Sequence, residues 1–243
     1  MNLITPLHRI ILLIGLIALT GSCSAPSPST QTVVLRFVAH IDGAPLIFDE
    51  ARYSAPTEET TFSIQNFRFF ISNIQLEGGG HAYTEPDSYH LVRFDVSEEG
   101  YQIELNDVPI ANIDKVRFSL GIDKQANGSI ETRGALDPNS SMAWNWEVGY
   151  KFLVFEGRLH DEQNIRPLVY HVGFNENRRD FVFDLSEKDA SELIFEADIM
   201  KLFIGKTTIN LSELPSIKFD KEDAAIMADN YAHMFFLSLN TQR

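Results

Sequence analysis

The sequence predicts an all-β fold: one sandwich-like or barrel-like domain with a short C-terminal helix. Three observations carry that expectation. Apolar and polar residues alternate with period two in run after run from Thr32 onward, the pattern of strands with one buried face. Turn-forming residues such as Asp42-Gly43 and Gly78-Gly79-Gly80 separate the runs. Helical spacing is scarce, and no repeat of about 20–50 residues points to a propeller or solenoid.

The 243 residues, 44% of them hydrophobic, suffice for one sizeable core. Residues 1–22 read as a signal peptide. His8-Arg9 precedes an apolar run from Ile10 to Leu19, too short to span a bilayer, and small residues lead into Cys23. "LTGSC" (19–23) resembles a bacterial lipoprotein signal, in which Cys23 becomes the lipidated first residue; a secreted protein with one free thiol is the alternative. Residues 23–32 then supply the lipidated cysteine and a flexible Pro/Ser tether, "SAPSPSTQT". The domain itself occupies 33–243.

Its strands follow in order. "VVLRFVAH" (33–40) opens the series and the strongly aromatic "TFSIQNFRFFISNIQL" (61–76) continues it. "SYHLVRFDV" (88–96), "KVRFSLGI" (115–122), "YKFLVFEGRLH" (150–160) and "LVYHVGF" (168–174) share the alternation, as do "DFVFDL" (180–185) and "ELIFEADIMKLF" (192–203). "DKEDAAIMADNYAHMFF" (220–236) is the helix candidate, because its acidic start suits the positive end of a helix dipole.

Charge and cysteine usage exclude whole classes. The formal net charge is -14, and loss of Arg9 with the leader takes it to -15. Such a chain repels nucleic acid and anionic head groups, so neither is an expected partner. With Cys23 committed to lipid no thiol remains for disulfides, thiolate zinc, iron–sulfur clusters or a cysteine nucleophile. No hydrolase motif, phosphate-binding glycine loop or EF-hand series is present, which argues against an enzyme.

Two histidines stand out among seven. His81, His90 and His160 read as surface residues. Alternation in the first strand puts His40 with Val34, Arg36 and Val38; in "LVYHVGF" it sets His171 against Leu168, Tyr170 and Val172, beside Gly173. Each is either a satisfied structural histidine or a metal ligand. Met142, Trp144 and Trp146 share a face if their segment is extended, and either pack a core or rim, or serve redox chemistry.

Several of these segments, in order, resemble a known family. "FRFFISNIQL" (67–76), "FSLGID" with Asn127, "GALDP" (134–138), "MAWNWEVGYKFLVFEG" (142–157) and "YHVGF" (170–174) are similar to the MbnP-like copper-binding domain, the family of the methanobactin-associated periplasmic protein. "FVAHIDGAPL" (37–46) with Tyr53 resembles its opening strand and "NYAHMFF" (230–236) its closing helix. The resemblance implies copper handling in the cell envelope, periplasmic or at the outer membrane. It implies copper held by imidazoles and by kynurenine, which a di-haem partner of the cytochrome c peroxidase-like class makes from tryptophan. On that basis His40 and His171 are the expected ligands, converging on one ion, and Trp144 or Trp146 the kynurenine precursor, close to His171 with an indole edge reachable from the surface. The competing expectation is a cell-envelope interaction module that binds no metal and uses the aromatic cluster for packing or docking.

Overall fold

The alternation in "VVLRFVAHI" becomes a strand with one dry face. β1 (Gln31–Ile41) buries Val33, Leu35, Phe37, Ala39 and Ile41 and turns Arg36, Val38 and His40 outward. The structure, a computed structural model, describes residues 29–50, 52–95, 100–129, 131–145, 147–162, 164–185 and 192–238. The signal peptide, Cys23, the tether up to residue 28 and Trp146 lie outside the described residues.

After β1 come β2 (Ala44–Pro45), β3 (Tyr53–Ser54), β4 (Thr61–Gly78), β5 (His81–Thr84), β6 (Tyr89–Arg93), β7 (Tyr101–Val108) and β8 (Lys115–Leu120). The single turn α1 (Lys124–Asn127) precedes β9 (Ala143–Asn145), β10 (Gly149–His160), β11 (Ile165–Gly173) and β12 (Arg179–Asp184). The chain ends in β13 (Glu192–Asp198), β14 (Ser216–Ile217), α2 (Lys221–Tyr231) and β15 (Phe235–Ser238).

These strands form two sheets. The smaller runs β15-β13-β1-β2, with β7 also on β1; the larger runs β12-β8-β4-β10-β11-β14. β3, β5 and β6 add to β4, and β9 folds back on β10. Aromatic rings fill the space between the sheets. Phe37 of β1 meets Phe69 of β4 and Phe118 of β8 edge-on at 6.4 and 5.4 Å, and Phe118 meets Phe195 of β13 at 5.0 Å. Edge-to-face pairs at these separations stabilise by about 0.5–1.5 kcal/mol beyond the area they bury.

The all-β class is therefore borne out, with local differences: the short strands β2, β3, β5, β9 and β14 are absent from the expected series, and three longer segments also differ. "YQIELNDV" is the strand β7, absent from the expected series. The expected strand 192–203 ends at Asp198, whose carboxylate accepts from Met200 N and starts a 3-10 turn over Ile199–Leu202. The expected helix 220–236 stops at Tyr231, and Phe235 re-enters the small sheet beside β13.

Candidate functional site

The family-like motifs come together on the outer face of the large sheet. Here β10 lies between β4 and β11, with Asn66 opposite Glu156, Glu156 opposite Val169, and Val154 opposite His171. Leu168, Tyr170 and Val172 are buried, so alternation sends His171 outward. Its Nε2 lies 2.8 Å from Glu156 Oε1, and Asn66 Nδ2 donates to Glu156 Oε2 at 2.9 Å. The His171 side chain keeps only 14% of its exposure.

Glycines open the room that the site needs. Gly173 shares the strand face of His171, and a Cβ there would lie 2.6 Å from Trp144 Cζ3 and 2.6 Å from the Tyr150 carbonyl oxygen. The six-membered ring of Trp144 thus occupies the space that a side chain at 173 would take. Its other neighbours are Phe174 and Phe219, with centroids at 5.3 and 5.0 Å. Trp144 remains partly exposed.

The hairpin that delivers Trp144 explains the M-x-W-x-W-x-x-G-Y spacing. Asn145 Oδ1 accepts from Glu147 N and Val148 N, closing the turn between β9 and β10. Gly149 has φ +89, and a Cβ on it would meet Asn127 Oδ1 at 2.4 Å. That same oxygen accepts from Tyr150 N at 2.8 Å, while Met142 and Tyr150 anchor the hairpin in the core. In the E-G pair, a Cβ on Gly157 would lie 2.3 Å from the Ser63 carbonyl oxygen, where β10 and β4 shift register beside Glu156.

Electrostatics keep the imidazole uncharged. Burial lowers the His171 pKa, the Lys151 and Lys218 ammonium groups lower it further, and together they outweigh the hydrogen bond and charge of Glu156. Burial works to raise the Glu156 carboxyl, but hydrogen bonds from Asn66 and His171, with the charges of His171 and Arg68, hold it below the ordinary range. At neutral pH the pair is a neutral imidazole donating to a carboxylate, not an ion pair.

His40 is elsewhere. It points outward from the small sheet, its Nδ1 buried without a hydrogen bond and 3.4 Å from Glu196 Oε2 of β13. It lines an open cleft of about 830 Å³ with Pro45, Leu46, Phe48, Phe94 and Asp95. Among the described residues, no three His, Cys, Asp or Glu side chains lie close enough to hold one ion. His40 and His171 face outward on different sheets, each beside its own glutamate. A copper ion at His171 would find one imidazole, with Glu156 already bonded to its Nε2; the intact Trp144 indole offers no lone pair to a metal. Imidazole suits copper, and oxidative opening of that indole would create a ketone and an aromatic amine as further donors.

Trp144 packs over Gly173, two residues along β11 from His171, and is partly exposed. Glu156, Asn66 and Phe219 were not singled out in the sequence.

A family model for MbnP matches residues 30–220. No curated protein sequence matches the chain. The solved structure of MbnP from Methylosinus trichosporium superposes with a TM-score of 0.58 at 18% identity, over 79% of this chain and 82% of that one. At that identity the superposition speaks for the fold alone, and the two curled sheets agree with it. The motifs that build the His171 face all fall inside the matched span, which covers most of the sequence, and the chain belongs to the MbnP family.

Proposed function

We propose that this protein is a copper-binding lipoprotein of the bacterial cell envelope, a carrier in copper acquisition or homeostasis and not a catalyst. One observation carries the reading: the Trp144 ring rests on Gly173, on the strand face that presents a neutral His171. A neutral imidazole is the ligating form, and an oxidisable ring lies beside it. His171 would hold the ion together with donors from Trp144 once oxidised to kynurenine, Trp146 being the other candidate. A di-haem partner resembling cytochrome c peroxidases would carry out that oxidation. Cys23 would anchor the chain to the membrane by its acyl chains.

The test is copper content and peptide mass in protein taken from its native envelope. Wild type should carry copper, and the peptide spanning Met142 to Tyr150 should gain one oxygen and lose one carbon at a single tryptophan. His171→Ala should lose the copper and keep the fold. Equal copper in wild type and His171→Ala would sink the assignment.

The second reading, an interaction module without metal, draws support from Phe219. That ring is 59% exposed and packs on Trp144, an arrangement that suits a docking surface. Metal-free native protein with both indoles intact would favour it.

A further inference from the structure

We infer that Glu156 is a positioning residue that holds His171 in the Nε2–H tautomer, leaving Nδ1 as the nitrogen free to bind a ligand. The tautomer follows from the hydrogen bond itself and is independent of copper; only the identity of the ion rests on the proposed function.

An ionised carboxylate accepts hydrogen bonds and donates none. At 2.8 Å from Glu156 Oε1, the His171 Nε2 must therefore carry the proton. The carboxylate is clamped from its other side, because Asn66 Nδ2 donates to Oε2 at 2.9 Å from the directly opposing position on β4. Glu156 thus has one oxygen for each neighbour, and a rotation toward either would break the other bond. A neutral ring with its proton on Nε2 has its lone pair on Nδ1. Among the described residues nothing hydrogen-bonds to that nitrogen, and it is not sealed from solvent as the Nδ1 of His40 is.

The chemistry that results is a ligating imidazole whose rear nitrogen is held by a carboxylate that does not itself touch the ion. Such a carboxylate fixes the ring's orientation and makes its free nitrogen more basic, and its loss costs about 10–100-fold in metal affinity. The ligand class is a borderline or soft metal ion that accepts an imidazole nitrogen.

The experiment is long-range proton–nitrogen NMR on the whole, nitrogen-15-labelled metal-free protein, at a pH where histidines are neutral. The His171 pair is identified by its loss in His171→Gln. In wild type, Nε2 should carry the proton and Nδ1 should show the shift of an unprotonated ring nitrogen. In Glu156→Gln, whose amide presents one acceptor and one donor where two acceptors stood, the tautomers should mix. Added Cu(I) should move Nδ1 and leave the Nε2 proton in place, with affinity about 10–100-fold lower in Glu156→Gln. A wild-type Nδ1–H tautomer overturns the inference, as does an unchanged tautomer in Glu156→Gln or loss of the Nε2 proton on adding copper. The wild-type spectrum needs no variant, so it decides the tautomer even if Glu156→Gln folds poorly. In protein whose Trp144 is already oxidised, an Nε2–H tautomer with no response to copper supports the positioning role and removes copper as the ion.

Discussion

His171 shows how a single side chain couples the site to solution pH. Its pKa in the fold lies below the ordinary 6.5, so between the two values the unfolded chain holds the extra proton. Stability therefore rises with pH across that window. The contribution is complete above 6.5 and is lost as pH falls through the folded value. NMR titration should place the His171 midpoint under 6.5. Denaturation of wild type should weaken more steeply than that of His171→Gln as pH falls through the same window; equal slopes would contradict the shift. The outward aim of His171 and the open space at Gly173 were legible in "LVYHVGF", because alternation and a missing side chain are local facts. Glu156 was not. Its pairing with His171 depends on the register of β10 against β11, which residues within one strand do not specify. That His40 and His171 belong to different sheets escaped for a related reason: alternation assigns each residue a face of its own strand, not which sheet that strand joins.

At the scale of elements, α2 is short because both of its ends are fixed by particular residues. Asp220 caps the start, its Oδ1 accepting from Glu222 N and Asp223 N at 2.9 Å each. At the far end Asn230 is buried, donating to the Leu202 and Thr207 carbonyls and accepting from Thr207 N. Tyr231 is buried too and donates its hydroxyl proton to the Asn177 carbonyl. These bonds tie the last turn to the loops over which it lies, and Met234 and Phe235 then enter the core. Asp220→Ala should lower unfolding stability by about 1 kcal/mol, read by chemical denaturation. No measurable loss would mean that solvent satisfies those two amides equally well. The start of α2 was legible in its acidic residues. Its end was not, since "NYAHMFF" suits a helix face as well as a short strand, and the small sheet's open edge at β13 decides between them.

For the molecule as a whole, charge bears on the proposed anchor. A chain of formal charge -14 has no net electrostatic attraction to anionic lipid, and among the described residues no helix is long and apolar enough to cross a membrane. Envelope attachment would then depend on acyl chains at Cys23. Cys23→Ser should move the protein from the washed membrane fraction into the soluble one. Retention of the variant on membranes would place the anchor elsewhere.

The parallel pairing of β1 with β13 also dictates a timetable. Arg36 and Glu192 bond across this pair although 156 positions separate them, while β1's other neighbours, β2 and β7, lie within the first half of the chain. Contacts so distant in sequence form slowly, because the intervening loop must close before any contact rewards it. A growing chain can thus assemble β1 with β2 and β7 early, yet the small sheet stays half-built until residues 192–198 emerge. Throughout that interval β1 presents an unpaired edge whose apolar face already carries Val33, Leu35 and Phe37, the kind of surface on which a second unfinished copy can add a strand.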